Sequence, residues 1–175
     1  LYNGFEARKS VNAAGTLVVV EGYVDVISMA VAGFGHTVAP LGTALTERQL
    51  EILWRLTPEP ILCFDGDKAG LRAAYRAVEL ALPGLKPGRS VRFALLPEGQ
   101  DPDDLIRQQG RAAMAKILAK PLPLVDMIWQ REIEQGPLDT PERRAAFEAR
   151  LKDIARLVGD ESVRRHYEQA LSSRA

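Results

Sequence analysis

The chain has one cysteine, two histidines and no excess of either charge, and each shortage narrows what it can be. With Cys63 alone, no intrachain disulfide can form, and its place in an apolar run marks it as a small buried hydrophobe. That usage fits a reducing, cytoplasmic setting, which is the expected localisation. His36 and His166 stand far apart and lack Cys or His neighbours, so local spacing offers no zinc site. Lys and Arg total 23, as do Asp and Glu, so the basic surplus typical of a phosphate-driven nucleic-acid binder is missing. No apolar run approaches the roughly 20 residues of a membrane-spanning helix, and no secretory leader is present. Walker A and GxGxxG phosphate loops are absent, and no Ser-His-Asp pattern is visible. What remains is ordinary globular usage, 46% hydrophobic and 26% charged over 175 residues, enough to bury a core. The opening LYNGFEARKS reads as the middle of a helix, so a piece of a longer protein is expected, with basic or partner-binding surfaces outside it.

Periodicity orders the first two thirds as alternating strands and helices. After a lead-in helix over Leu1–Ser10, a first strand is expected at Thr16–Val20, then a helix over Tyr23–Ala32 with Val26, Ile27, Ala30 and Val31 inward. A short strand at Thr37–Ala39 precedes a helix opened by the Thr46–Gln49 capping box and ending near Leu56. A third strand at Ile61–Phe64 leads to a helix over Ala69–Leu82, with Leu71, Ala74, Tyr75, Val78 and Leu82 on one face. The turn-rich PGLKPGR connects to a fourth strand at Ser90–Leu96. This order with short connections predicts an α/β fold, a four-stranded, mostly parallel sheet with flanking helices. After Asp103 only helices are expected, at Asp103–Gln109, Arg111–Ala119, Leu124–Gln135, Pro141–Val158 and Glu161–Ser172. Phe147, Leu151, Ile154 and Leu157 mark the stripe of the penultimate one. They form an all-α bundle, packed on the sheet or standing apart as a second lobe.

Acidic residues gather in three short motifs, each at or just past the end of an expected strand. Glu21 and Asp25 lie in VVVEGYVD, Asp65 and Asp67 in ILCFDGDKAG, and Asp101 and Asp103 in LLPEGQDPDD. In an open parallel sheet the carboxyl ends of the strands line the edge where sites form, so these motifs converge. Singly, each has a plain reading: Asp101 and Asp103 flanking a proline in a turn with Asp103 as N-cap of the next helix, the Asp65–Asp67 turn capping the Ala69 helix, Asp25 favouring a helix start, Glu21 in an ion pair. Jointly they resemble the all-oxygen donor set of a hard cation, because like charges at ~4 Å repel by roughly 4 kcal/mol at an effective dielectric of 20. An EF-hand is excluded, since its bidentate glutamate position falls on Arg76. Lys68 could touch a phosphate, and Gly42 and Thr43, after the second strand, could offer backbone N–H groups to one.

EGYVD (21–25), APLGTALT (39–46), FDGDKAGLRAA (64–74) and LPEGQDPDDLI (96–106) together resemble the Toprim catalytic module, and within it bacterial DNA primases of the DnaG type. The resemblance runs from Leu1 to about Gly110 and divides the chain into a lead-in helix (1–15), a Rossmann-like Toprim module (16–110) and a helical subdomain (111–175). It implies that Glu21 is a general base or metal ligand and that Asp65 and Asp67 bind divalent metal, Mg²⁺ with Mn²⁺ as substitute. Asp25, Asp101 and Asp103 match further acidic positions around the metals. The implied activity is synthesis of short RNA primers on single-stranded DNA from ribonucleoside triphosphates by nucleotidyl transfer. A zinc-binding domain, a basic template-gripping lobe and the helicase-binding domain are expected to lie outside this chain. Contacts with the replicative helicase and single-strand binding protein would then use those regions, and the piece alone would be weakly active or inactive. Two other readings stand beside this one. In one the module is a Toprim nuclease or topoisomerase; in the other it is a nucleotide-binding regulatory or docking module without activity of its own.

Overall fold

The computed structural model describes residues 1–40 and 44–175. Four strands run parallel: β1 (Val18–Val19), β2 (Thr37–Val38), β3 (Ile61–Phe64) and β4 (Arg92–Leu95). Helices α1 (Gly4–Ala14), α2 (Tyr23–Val31), α3 (Glu47–Leu56) and α4 (Lys68–Ala81) alternate with them. After β4 come α5 (Pro102–Gln109), α6 (Arg111–Leu118), α7 (Leu124–Ile133), α8 (Pro141–Arg156) and α9 (Glu161–Ser172). The expected four-stranded sheet needs one correction. Leu122–Pro123 forms β5, antiparallel to β4, giving the order β2-β1-β3-β4-β5. Two residues, the second itself a proline, carry no alternation to read, and proline is tolerated because the strand lies at the sheet's edge.

The continuous apolar runs follow from burial on both faces of the sheet. Leu17, Val19, Leu62, Phe64 and Phe93 face a core shared with α1, α3, α4, α7 and α8. Val18, Val20, Ile61, Cys63, Ala94 and Leu96 face a second core closed by Val26 and Met29 of α2, Leu105 of α5 and Met114 of α6. The helical tail therefore packs on the sheet: Met127, Ile128, Phe147 and Leu151 share one core with Leu62 and Phe93. Two faces differ from expectation. On α2 the buried positions are Asp25, Val26 and Met29, while Ile27 and Val31 are 49% and 85% exposed and Ala30 is exposed too. The capping contact between Asp25 and the Gly22 N–H sets the helix's rotation and turns Asp25 inward. On α8, Leu157 falls past the last turn at 50% exposure, and Ala155 and Val158 are buried in its place.

One buried charge ties the helices of the tail to one another and to α4. Glu132 on α7, 2% exposed, accepts from Arg131 Nε at 2.9 Å, Arg150 Nε of α8 at 3.1 Å and Gln135 Nε2 at 2.7 Å. Arg131 also reaches Glu79 of α4 at 3.2 Å. Removing one member of a buried, hydrogen-bonded ion network strands the others. Glu132→Ala is expected to cost about 3 kcal/mol, read as a lower urea midpoint at unchanged m-value. An unshifted midpoint would show that the network contributes nothing net.

Candidate metal and nucleotide site

The strand order has its switch point between β1 and β3, where one connection leaves toward β2 and the next returns on the other side. A crevice opens there at the carboxyl ends of the strands. Glu21 follows β1 and Asp65 follows β3, on adjacent strands at that point. Glu21 Oε1 accepts a hydrogen bond from the Asp65 backbone N–H at 3.2 Å, joining the two strand ends. The next loop closes over them: Gly66 N–H donates to the Gln100 carbonyl at 2.9 Å, and Gly99 N–H donates to the Gly66 carbonyl at 2.8 Å. A Cβ on residue 66 would fall 1.8 Å from the Pro97 carbonyl oxygen, so glycine is obligatory there. Gln100 and Pro97 thus position the site through backbone groups, a role no side-chain pattern could mark.

Around this pair stand four more carboxylates, each tied to the backbone or to a neighbour. Asp67 caps α4, accepting from Gly70 N–H at 2.6 Å, and Asp101 caps α5, accepting from Asp104 N–H at 2.7 Å. Asp25 Oδ2 accepts from Gly22 N–H at 3.1 Å. Asp103 accepts from the Ser28 hydroxyl, which links α2 to α5. Ser28 lies mid-helix in a sequence with nothing to single it out. None of the six carboxylates forms an ion pair with Arg or Lys among the described residues. The ion-pair reading of Glu21 therefore does not hold.

The electrostatics show how closely these groups crowd. Burial and then the neighbouring charges of Glu21, Asp25, Asp101 and Asp67 push the Asp65 carboxyl up to about 7. Asp25 is raised to about 6 by burial, with Asp101 and Asp103 adding to it. Asp65 Oδ1 is buried and has no hydrogen-bond partner, the sort of orphaned oxygen that a cation satisfies. No three His, Cys, Asp or Glu side chains among the described residues converge tightly enough to form a finished ligand cage. Glu21, Asp25, Asp67 and Asp101 each accept from a backbone N–H and Asp103 from the Ser28 hydroxyl, so the acids are held at separate points of one edge. Hard oxygens, an orphaned carboxylate and missing counter-charges fit a divalent cation that keeps several waters. Lys68, exposed at the first position of α4, forms no ion pair among the described residues. Gly42 and Thr43 lie outside the described residues. Burial pushes the Cys63 thiol up to about 12, leaving it inert.

The comparisons with known proteins match this geometry. Residues 18–106 match a family model described as Toprim-like, and the chain belongs to that family. Within it the likeness is to DNA primases. The DNA primase of Rickettsia typhi is 40% identical over 167 residues, covering 95% of this chain and 28% of the relative. The chain thus spans under a third of that relative's length. A DNA primase domain from Pseudomonas aeruginosa superposes with a TM-score of 0.91 at 38% identity, covering 99% of this chain and 54% of the other. A DnaG primase catalytic domain bound to single-stranded DNA gives 0.89 at 37% identity, covering 98% and 56%. One expectation is corrected: the helicase-binding region was placed outside the chain, yet residues 125–175 match a model described as the DnaB-helicase binding domain of primase. A helical stripe carries packing, not partner identity, so α7 to α9 read only as a bundle.

The Asp65 carboxyl yields a prediction. Its folded value lies above the ordinary 3.8, so the metal-free native state binds this proton more tightly than the unfolded chain does. The resulting penalty is absent below about 4 and complete above about 7. In chelator, Asp65→Asn is expected to raise the melting temperature at pH 8 by a few degrees and to change it little at pH 4, while abolishing stabilisation by Mn²⁺. A pH 8 melting temperature equal to or below the wild type's would contradict this account of Asp65.

Proposed function

We propose that this chain carries the metal-binding centre of a DNA primase and serves synthesis of short RNA primers on single-stranded DNA. The supporting observation is Asp65, a half-buried carboxylate with an orphaned oxygen, beside Glu21 at the switch point and without a cationic partner. The primase relatives support this reading over a topoisomerase, nuclease or purely regulatory Toprim module.

On this reading Glu21, Asp65 and Asp67 hold the metal, with Asp25, Asp101 and Asp103 forming an outer acidic ring. Mg²⁺, or Mn²⁺ in its place, would supply the positive charge that neutralises the oxyanions of a phosphoryl transfer. The 3′-oxygen of the growing primer bonds to the α-phosphorus of a ribonucleoside triphosphate, the bond to pyrophosphate breaks, and the hydroxyl proton departs. Glu21, an exposed carboxylate that lines the crevice, accepts that proton or serves as ligand. Asp65 releases its own proton on loading, so metal affinity rises with pH through about 7. Asp67 fixes the start of α4 through its cap and so sets where Lys68 can meet the triphosphate. We assign 1–15 to a lead-in helix, 16–110 to the catalytic module and 111–175 to a helical subdomain that meets the replicative helicase. Single-strand binding protein is a further partner of the whole enzyme.

Asp67→Asn separates charge from fold, because asparagine caps a helix about as well as aspartate. In the full-length protein it is expected to lower primer synthesis and Mn²⁺ affinity at least a hundredfold while moving the melting temperature by no more than about 2 °C. Primer yields within severalfold of wild type at saturating metal would overturn the assignment.

A further inference from the structure

We propose that Lys68, Arg72 and Arg76 form a track along α4 for the phosphate backbone of the nucleic-acid strand that reaches the acidic centre. The inference rests on the function proposed above and adds a binding surface to it. The three residues recur every four positions, and α4 buries the opposite side through Gly70, Ala74, Ala77, Val78 and Ala81. The cations therefore follow the crest that faces solvent, and all three are exposed. None pairs with an acid among the described residues, whereas Glu79, the acid on the same crest, is engaged by Arg131. Three like charges at this spacing repel one another by a few tenths of a kcal/mol per pair, a cost that an external polyanion removes.

Position and spacing favour a strand of nucleic acid. The row starts one residue after Asp67, at the helix N-terminus beside the acidic crevice, and follows the solvent side of α4. Arg76 and Glu21 line one cavity of about 420 Å³, so the far end of the row borders the same crevice as the acidic centre. Eight residues at about 1.5 Å rise place the outer cations about 12 Å apart along the axis. A strand advances about 3.4 Å per nucleotide, so the row spans three or four phosphates. On neighbouring α3, Arg48 and Arg55 are also exposed and unpaired among the described residues, widening the positive field on this side. An acidic crevice repels the backbone of its own substrate, and cations beside it offset that repulsion without entering the chemistry.

The test uses the full-length protein with Arg72→Gln and Arg76→Gln together, leaving Lys68 in place. Affinity for a labelled single-stranded 20-mer is measured by anisotropy across a salt series from 50 to 300 mM. Loss of two phosphate contacts should lower the slope of log K against log salt by about 1.4 and weaken binding roughly twentyfold at 0.1 M salt. A control pair, Arg8→Gln with Arg165→Gln, removes the same charge elsewhere and should leave the slope unchanged. An unaltered slope in the α4 pair, or an equal fall in the control, overturns the track. So does loss of poly-aspartate binding with the DNA slope intact, which would give the face to an acidic protein. Mn²⁺ affinity of the α4 pair should stay within twofold of wild type. Failure of the wild type to bind Mn²⁺ strikes the proposed function instead, and is read separately from the slope.

Discussion

Repulsion among carboxylates held at one edge of a parallel sheet is the constraint to which the rest of the molecule answers. Burial, and then the charges of the neighbouring acids, raise the proton affinity of Asp65 and Asp25. No arginine or lysine forms an ion pair with them among the described residues. The fold tolerates this because α2, α4 and α5 all begin at that edge, and each helix start carries roughly half a positive charge. Asp25, Asp67 and Asp101 each accept a backbone N–H within the first turn of one of these helices. Partial charges fixed in the backbone thus hold the cluster together until a cation completes it.

Capping and function are therefore not rival explanations for these aspartates. A capping aspartate spends one oxygen on the backbone and keeps the other, and the helix fixes where that second oxygen stands. The cap turns a surface acid into a placed one. Gly66 and Gly70 serve the same end, since a side chain at either would collide with a carbonyl at 1.8 or 2.2 Å and push the loop open. Economy of this kind explains why the motifs are short: DGDKAG contains a donor, a turn, a cap and the first turn of a helix in six residues.

How much the sequence disclosed follows from which interactions are local. β3 at Ile61–Phe64 and α9 at Glu161–Ser172 fall at their expected bounds, because an unbroken apolar run and a capped amphipathic helix are written in neighbouring residues. The acidic clustering was legible too, through the rule that parallel strands end on one side. The inward face of α2 was not, since its hydrophobic residues wrap around the helix and the Gly22–Asp25 contact sets the rotation. β5 depends on pairing with β4, nearly thirty positions earlier, and its own two residues have no pattern. The Ser28–Asp103 link, across 75 positions, is more remote still and equally silent. A helicase-related tail was legible only by comparison, because burial dictates Phe147 and Leu151 whatever the outer faces bind.

Net charge bears on the proposed track for a related reason. Equal totals of acids and bases argue against a polyanion partner only when the charges are mixed everywhere, and the acidic edge, whose six carboxylates form no ion pair among the described residues, is one region where they are not. Acids collect at the carboxyl edge, and Lys68, Arg72 and Arg76 follow along the crest of α4. At a Debye length of about 8 Å in physiological salt, a strand lying on that crest feels the nearby row far more than the balanced sum over the whole chain. The sorting is itself a consequence of folding: α4 inherits its N-terminus from the acidic loop and its solvent face from the core it covers, so a basic residue every fourth position is carried outward, away from the metal-binding edge.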